Sequence, residues 1–257
     1  MKESQSTAYW HEKLKQLGII VIIPSYNNGK TLADVIESVR SYAPDILVVN
    51  DGSTDETAGI LSQEANLQVI THPTNRGKGV ALKHGLCHAK AQGFRYAITI
   101  DSDEQHFASD IPSFIEAIEK EPDTLLVGSR NLASDNMPEK NTFANKFSNF
   151  WFTLETGIKL QDTQSGYRLY PLQQMNVDKW YYTAKYEFEL EALVFAAWGD
   201  IAVKNIPVPV YYPPQEERVS HFRPFRDFTR ISILNTVLVF ITFLWITPRN
   251  FFRKLTW

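Results

Sequence analysis

From residue 18 to residue 128, short apolar runs alternate with helix-like segments, and this alternation restricts the chain to few folds. The runs at 19–23, 46–49, 67–70, 97–100 and 125–127 read as strands, and the segments around 32–41, 57–64, 79–91 and 111–120 read as helices. Strands separated by helices pair in parallel, and a parallel sheet must be covered on both faces. The pattern therefore predicts an α/β fold, a Rossmann-like, mostly parallel sheet with helices on both sides. Ligands of such sheets bind beyond the carboxyl ends of the strands. The polar chemistry of this chain is concentrated there. Pro24-Ser25-Tyr26-Asn27-Asn28 follows the first run, Asp51-Gly52-Ser53-Thr54-Asp55 the second, Asn75-Arg76-Gly77-Lys78-Gly79 the third, and Asp101-Ser102-Asp103-Glu104-Gln105 the fourth.

Alternate side chains of extended backbone share a face, so Asp101, Asp103 and Gln105 can converge on one point. Two carboxylates and an amide suit a hard divalent cation, Mg²⁺ or Mn²⁺, that leaves places for water and substrate phosphate. Taken alone, the same turn also reads as a solvated acidic loop. Arg76 and Lys78 flank Gly77, where a diphosphate needs cationic side chains and close backbone approach. The glycine spacing excludes a P-loop ATPase. His72, His84, His88 and His106 form no zinc pattern with Cys87 and read as core or surface residues.

A chain of 257 residues with 44% hydrophobic content can bury one substantial core. The expected organisation is a polar extension over 1–16, one catalytic domain over 17–215, and a tail over 216–257. A net charge of -3 argues against a nucleic-acid binder. The lone Cys87 rules out an intrachain disulfide and fits a reducing compartment, and residues 1–16 lack the apolar stretch of a secretory signal. Residues 131–146 read as a polar loop leading into an aromatic helix over 147–156. A helix over 187–198, a strand over 201–206 and the proline-rich run 207–214, an edge strand and linker, follow.

The tail sets Arg218, Arg223, Arg226, Arg230, Arg249, Arg253 and Lys254 against one acid, Asp227, and residues 231–247 carry no charge. A spanning helix needs about 20 apolar residues, with a lower limit of about 17. This segment sits at that limit and contains Ser232, Asn235 and Thr236. With arginines and aromatic residues at its flanks it predicts an interfacial or re-entrant membrane helix, the alternative being a helix buried against the domain or in a dimer interface.

The four strand-end motifs, together with Asp162-Thr163-Gln164-Ser165-Gly166-Tyr167-Arg168, occur in the order seen in family 2 inverting glycosyltransferases. Over roughly residues 18–223 the chain resembles the branch that includes dolichyl-phosphate mannose synthase and bacterial polyprenyl-phosphate glycosyltransferases. That resemblance implies a GT-A fold, a nucleotide-sugar donor and a divalent metal, Mg²⁺ or Mn²⁺; Asp103 and Gln105 are the expected ligands, with Asp101 either joining them or holding the ribose and ordering the turn. It places Pro24, Tyr26, Asn28 and Asp51 around the base, and Arg76, Lys78, Asp101 and Ser102 in the rest of the donor site. Asp103, Asp162, Arg130, Arg168 and Arg218 form the implied catalytic set, with Arg130, Arg218 and His221 on the acceptor side. One of Glu187, Glu189 and Glu191 would face the donor sugar.

The implied acceptor is lipid-linked, polyprenyl phosphate first and a hydroxyl-bearing lipid or glycan as the alternative, at the cytosolic face of a membrane. Asn28 stands where the family often has Glu, and His221 where lysine is common. A sugar-nucleotide pyrophosphorylase would carry a glycine-rich, arginine-containing loop after the first strand, which Pro24-Ser25-Tyr26-Asn27-Asn28 is not. A non-catalytic nucleotide-sugar binder could dispense with Asp101, Asp103 and Gln105, which are all present.

Overall fold

The computed structural model describes residues 6–129, 139–177, 183–210 and 223–255. Helix α1 (Thr7–Leu17) leads into strand β1 (Ile19–Ser25), and the chain then alternates α2 (Gly29–Arg40), β2 (Ile46–Asn50), α3 (Thr57–Gln63), β3 (Gln68–Thr71), α4 (Lys78–Ala91) and β4 (Tyr96–Thr99). After α5 (Ile111–Lys120) and β5 (Leu125–Ser129) come α6 (Glu139–Thr156), β6 (Arg168–Pro171), α7 (Glu187–Trp198), β7 (Val203–Pro207) and the tail helix α8 (Pro224–Ile241). A π-helical segment, Thr242–Ile246, joins α8 to α9 (Thr247–Leu255).

The strands form one seven-stranded sheet in the order β3-β2-β1-β4-β6-β5-β7. All neighbours run parallel except β6, which pairs antiparallel with both β4 and β5. Alternation along β1 divides the core in two. Ile20 and Ile22 face a cluster containing residues of α4, α6 and α7, while Ile19, Val21 and Ile23 face one containing residues of α2 and α5. Both faces of the sheet are therefore covered, and the expected fold class is the observed one.

Most elements fall where the sequence places them. The polar extension is an exception, because α1 buries Leu14 completely and packs Trp10 and Leu17 against the second cluster. Part of the expected loop over 131–146 is also helical, since α6 begins at Glu139. Helix α7 is buried nearly all round, with the apolar run Ala192 to Trp198 filling its second half and Glu187, Glu189 and Glu191 buried in its first. The tail is less separate than its composition suggests. Leu238 and Ile246 belong to the first core cluster, and Ile231, Leu234 and Ile241 pack against it.

Beneath the tail, Glu155 of α6 is only 1% exposed, and neither carboxyl oxygen has a hydrogen-bond partner among the described residues. Burial alone pushes its carboxyl up from 4.5 to about 8. The folded chain thus holds a proton that the unfolded chain releases, so this residue's contribution to stability is full below pH 4.5 and declines as the pH rises to about 8. Glu155→Gln should remove that decline, which amounts to about 1.4 kcal/mol per pH unit within the window. Urea midpoints of wild type and variant should diverge steadily from pH 4.5 to 8, with the variant the more stable at the upper end. Parallel curves would refute the assignment.

Candidate active site

Parallel register brings the strand-end loops together. Ser25 pairs with Asn50 and Asn50 with Thr71, so Asp51 and His72 emerge side by side beyond the sheet edge. Backbone bonds continue the register, with Asp51 N donating to Ser25 O and His72 N to Asn50 O. The loops border a cleft of about 580 Å³, lined by Pro24, Tyr26, Asn28, Asp51, Lys78 and Asp101 to Asp103 among others. That volume suits a drug-sized or nucleotide-sized ligand.

Asn28 Nδ2 donates to Ser102 Oγ at 2.8 Å, and Ser102 Oγ donates to Pro24 O at 3.2 Å, tying the first loop to the acidic turn. Asp51 is nearly enclosed. Its Oδ1 accepts from Arg76 N at 2.9 Å and its Oδ2 from Gly77 N at 2.7 Å, so it fixes the loop entering α4. Gly77 has φ +103, and a Cβ there would lie 2.5 Å from Ala184 O. The close approach at this glycine is therefore to the segment before α7, and the same crossing brings Lys185 and Tyr186 into the cleft wall.

Lys78 Nζ lies 2.8 Å from Asp101 Oδ1 and 3.3 Å from Glu189 Oε2. Burial would lower the Lys78 ammonium, but Asp101 and Glu189 outweigh it and hold the pKa well above the ordinary lysine value. Asp101 is held low despite its burial, chiefly by Lys78. Asp103 makes no ion pair among the described residues, and burial followed by the charge of Asp101 raises its carboxyl, with the more distant Lys78 opposing them. The acidic pair is thus short of positive charge on the Asp103 side, with Gln105 also lining the cleft. A divalent cation fits this deficit and this set of oxygen donors. Among the described residues no three His, Cys, Asp or Glu side chains form a metal cage, so donor phosphates or water would have to complete the coordination.

Other expected site residues are placed differently. Arg168 is fully buried, and its guanidinium donates to the carbonyls of Ser165, Thr163 and Glu189. It clamps the loop before β6 onto α7 and does not reach the cleft. Asp162 is fully buried too, its Oδ1 accepting from Asn145 Nδ2, Gln164 N and Ser165 N. That loop still serves the site, because a Cβ on Gly166 would lie 2.6 Å from Asp101 Oδ2 and 2.9 Å from Lys78 Nζ. Only glycine lets the backbone pass so close to the Lys78–Asp101 pair. Arg76 contributes its backbone N–H to Asp51, and its side chain is not among those lining the cleft. Arg130, Arg218 and His221 lie outside the described residues.

Three further features are set by the fold. Glu187, Glu189 and Glu191 are all buried, and they face Arg230, Lys78 and Thr183 respectively. Arg223, Arg226 and Asp227, at the start of α8, line the same cleft as the acidic turn. Finally, Asp51, His72 and His84 are joined in one hydrogen-bonded chain. A signal for the tail contact is present in the arginines that precede the apolar run.

Comparison with known proteins agrees with this geometry. The sequence profile of glycosyl transferase family 2 matches residues 20–173. A UDP-N-acetylglucosamine--dolichyl-phosphate N-acetylglucosaminyltransferase of Methanococcus voltae is 31% identical over 215 residues, spanning 76% of this chain and 86% of that protein. The dolichyl-phosphate beta-glucosyltransferase of Saccharomyces cerevisiae is 26% identical over 77% of this chain and 68% of its own length. Among solved structures, glucosyl-3-phosphoglycerate synthase of Mycobacterium tuberculosis, in complex with Mn²⁺, uridine-diphosphate-glucose and phosphoglyceric acid, superposes with a TM-score of 0.66. That match covers 93% of this chain and 84% of the other at 19% identity, a likeness of fold.

Proposed function

The chain belongs to glycosyl transferase family 2, and from that premise we propose that it moves one sugar from a nucleoside-diphosphate donor to a polyprenyl-type lipid phosphate at a membrane surface, with inversion at the anomeric carbon. The observation that carries this reading is a single helix with two roles. The first turn of α8 brings Arg223 and Arg226 into the cleft that holds Asp101 and Asp103, and the rest of the helix exposes large apolar side chains. Relatives named for dolichyl phosphate support the same acceptor chemistry.

In this reading the donor diphosphate lies between Lys78 and the acidic turn. Asp103 and Gln105, with Asp101, would hold a divalent cation that offsets charge on the leaving diphosphate. Lys78 keeps Asp101 ionised and oriented. An oxygen of the lipid phosphate attacks the anomeric carbon from the face opposite the diphosphate, the new carbon–oxygen bond forms as the old one breaks, and the nucleoside diphosphate departs. A phosphate is already an anionic nucleophile, so it requires cationic positioning rather than a general base. Arg223 and Arg226 supply that positioning among the described residues, with Arg130 and Arg218 as further candidates from the sequence.

A hydroxyl acceptor would need a base, and buried Asp162 does not line the cleft. Protein incubated with membrane lipid extract and labelled nucleotide sugars should yield a labelled lipid that mild acid cleaves, as expected of a sugar on a monophosphate. An acid-stable glycolipid would overturn the phosphate acceptor and leave the transferase assignment in place.

A further inference from the structure

Asp51 lies on the cleft wall, and a chain of hydrogen bonds runs from it towards solvent. His72 Nδ1 is 2.7 Å from Asp51 Oδ1, and His72 Nε2 is 2.9 Å from His84 Nδ1. The two imidazoles meet edge to face with centroids 4.8 Å apart. Asp51 and His72 are almost wholly buried, whereas His84, on α4, is partly exposed. Two backbone N–H groups already point at the carboxylate of Asp51. Histidines that merely filled a core would not need to link a cleft carboxylate to the surface.

We infer that His72 and His84 are positioning residues of the donor site, a relay that fixes Asp51 and takes up one proton from solvent when the nucleotide sugar binds. This inference rests on the reading of the cleft as the donor site. A carboxylate offers only lone pairs, so His72 Nδ1 carries the hydrogen. With His72 neutral, its Nε2 accepts, His84 Nδ1 donates, and His84 Nε2 is bare. A proton arriving from water at His84 Nε2 breaks none of these bonds. The hydrogen on His84 Nδ1 can then pass to His72 Nε2, which moves the positive charge next to Asp51 without moving a heavy atom. Each proton gained at one end is matched by one passed inward.

Donor binding favours the charged relay for two reasons. It removes water from above Asp51, and it brings the negative charge of the diphosphate into the cleft that Asp51 lines. The groups facing His84 are His72 from the loop after β3, Arg76 from the loop before α4, Lys83 on its own helix, and Asp51. In the free protein burial, then His72, Arg76 and Lys83, hold the His84 imidazole below its ordinary value, with Asp51 opposing them. The relay is therefore ready to gain a proton when the donor's charge arrives.

The test is calorimetric titration of UDP-glucose and of GDP-mannose into the full chain saturated with Mn²⁺, in two buffers of different ionisation heat, between pH 6 and 8. Neither diphosphate titrates in this range, because both of its ends are esterified. Wild type should take up close to one proton near the midpoint, and its affinity should rise by up to about tenfold per pH unit as the pH falls. His84→Gln keeps an N–H for His72 but cannot titrate, so its affinity should be flat with pH. His88→Gln, one turn further along α4 and outside the hydrogen-bonded chain, should behave as wild type. Binding by wild type without proton uptake overturns the relay whatever the variants do, as does a His84→Gln protein with an unchanged pH slope. Failure of both nucleotide sugars to bind overturns the donor-site reading and the relay with it.

Discussion

Replacing Asp103 by Asn should lower the rate of sugar transfer by about 10²-fold or more, the usual cost of removing a group that stabilises charge only as the transition state forms. The substitution is nearly isosteric, so packing is preserved and the loss isolates charge. Asp101 compensates poorly, because Lys78 already offsets its charge. Chelation of wild type with EDTA should give a loss of the same order, reversed by Mg²⁺ or Mn²⁺, while chelation of the Asp103→Asn variant should change little further. Initial rates with a labelled nucleotide sugar and a lipid extract decide the matter. Near wild-type turnover of Asp103→Asn in the presence of EDTA would remove the metal from the proposed mechanism.

How much of this is legible in the sequence depends on whether the cause is local. Strands β1 to β5 and helices α2 to α5 announce themselves because each carries its own periodicity, and parallel order then gathers their loops on one edge. Helix α1 escapes because Trp10, Leu14 and Leu17 are its only residues in the core cluster, set in an otherwise polar stretch. Strand β6 is four residues long and inserts antiparallel between β4 and β5, against the parallel order that strand–helix alternation implies. The Asp162 to Arg168 motif is visible, but its work is not. Arginine among polar residues reads as a ligand for phosphate, whereas the fold commits Arg168 to three carbonyls, a partnership set by where α7 docks. Likewise, nothing in the spacing of Asp51, His72 and His84 joins them. The register of β2 with β3 and the packing of α4 against the sheet do so.

The tail is where fold and function meet most directly. Phe225–Arg253 is one 29-residue helix, long and apolar enough to cross a bilayer by length and composition. Its contacts argue that it lies flat. Near its start Arg230 approaches Glu187 at the beginning of α7, and near its end Arg249 donates to Trp198 O while Arg253 pairs with Asp200 just beyond α7. In between, Thr242 Oγ1 donates to Glu155 O, and Leu238 and Ile246 enter the core. A helix fastened at both ends along α7 would have to abandon these contacts to span a membrane.

Its opposite face is apolar and uncovered. Phe240, Leu244 and Trp245 are each more than 60% exposed, and Phe150 of α6 is also 60% exposed. A surface of this kind is costly in water and suits the boundary between headgroups and acyl chains, with the arginines towards the headgroups. Burying one such side chain is worth about 1.5–3 kcal/mol. Changing Phe240, Leu244 and Trp245 together to Glu should therefore reduce binding to anionic liposomes by about 10²-fold or more, measured by co-sedimentation. Nucleotide-sugar binding and the urea midpoint should hold, because none of the three packs into the core. Deleting residues 224–257 is the weaker experiment, since it would also strip Leu238 and Ile246 from the interior and Arg226 from the cleft. Undiminished sedimentation of the triple variant would show that the uncovered face does not meet the bilayer. Release from liposomes, with transfer lost to long-chain polyprenyl phosphate but kept for a short water-soluble analogue, would show that the helix delivers the active site to its acceptor and takes no part in the bond exchange itself.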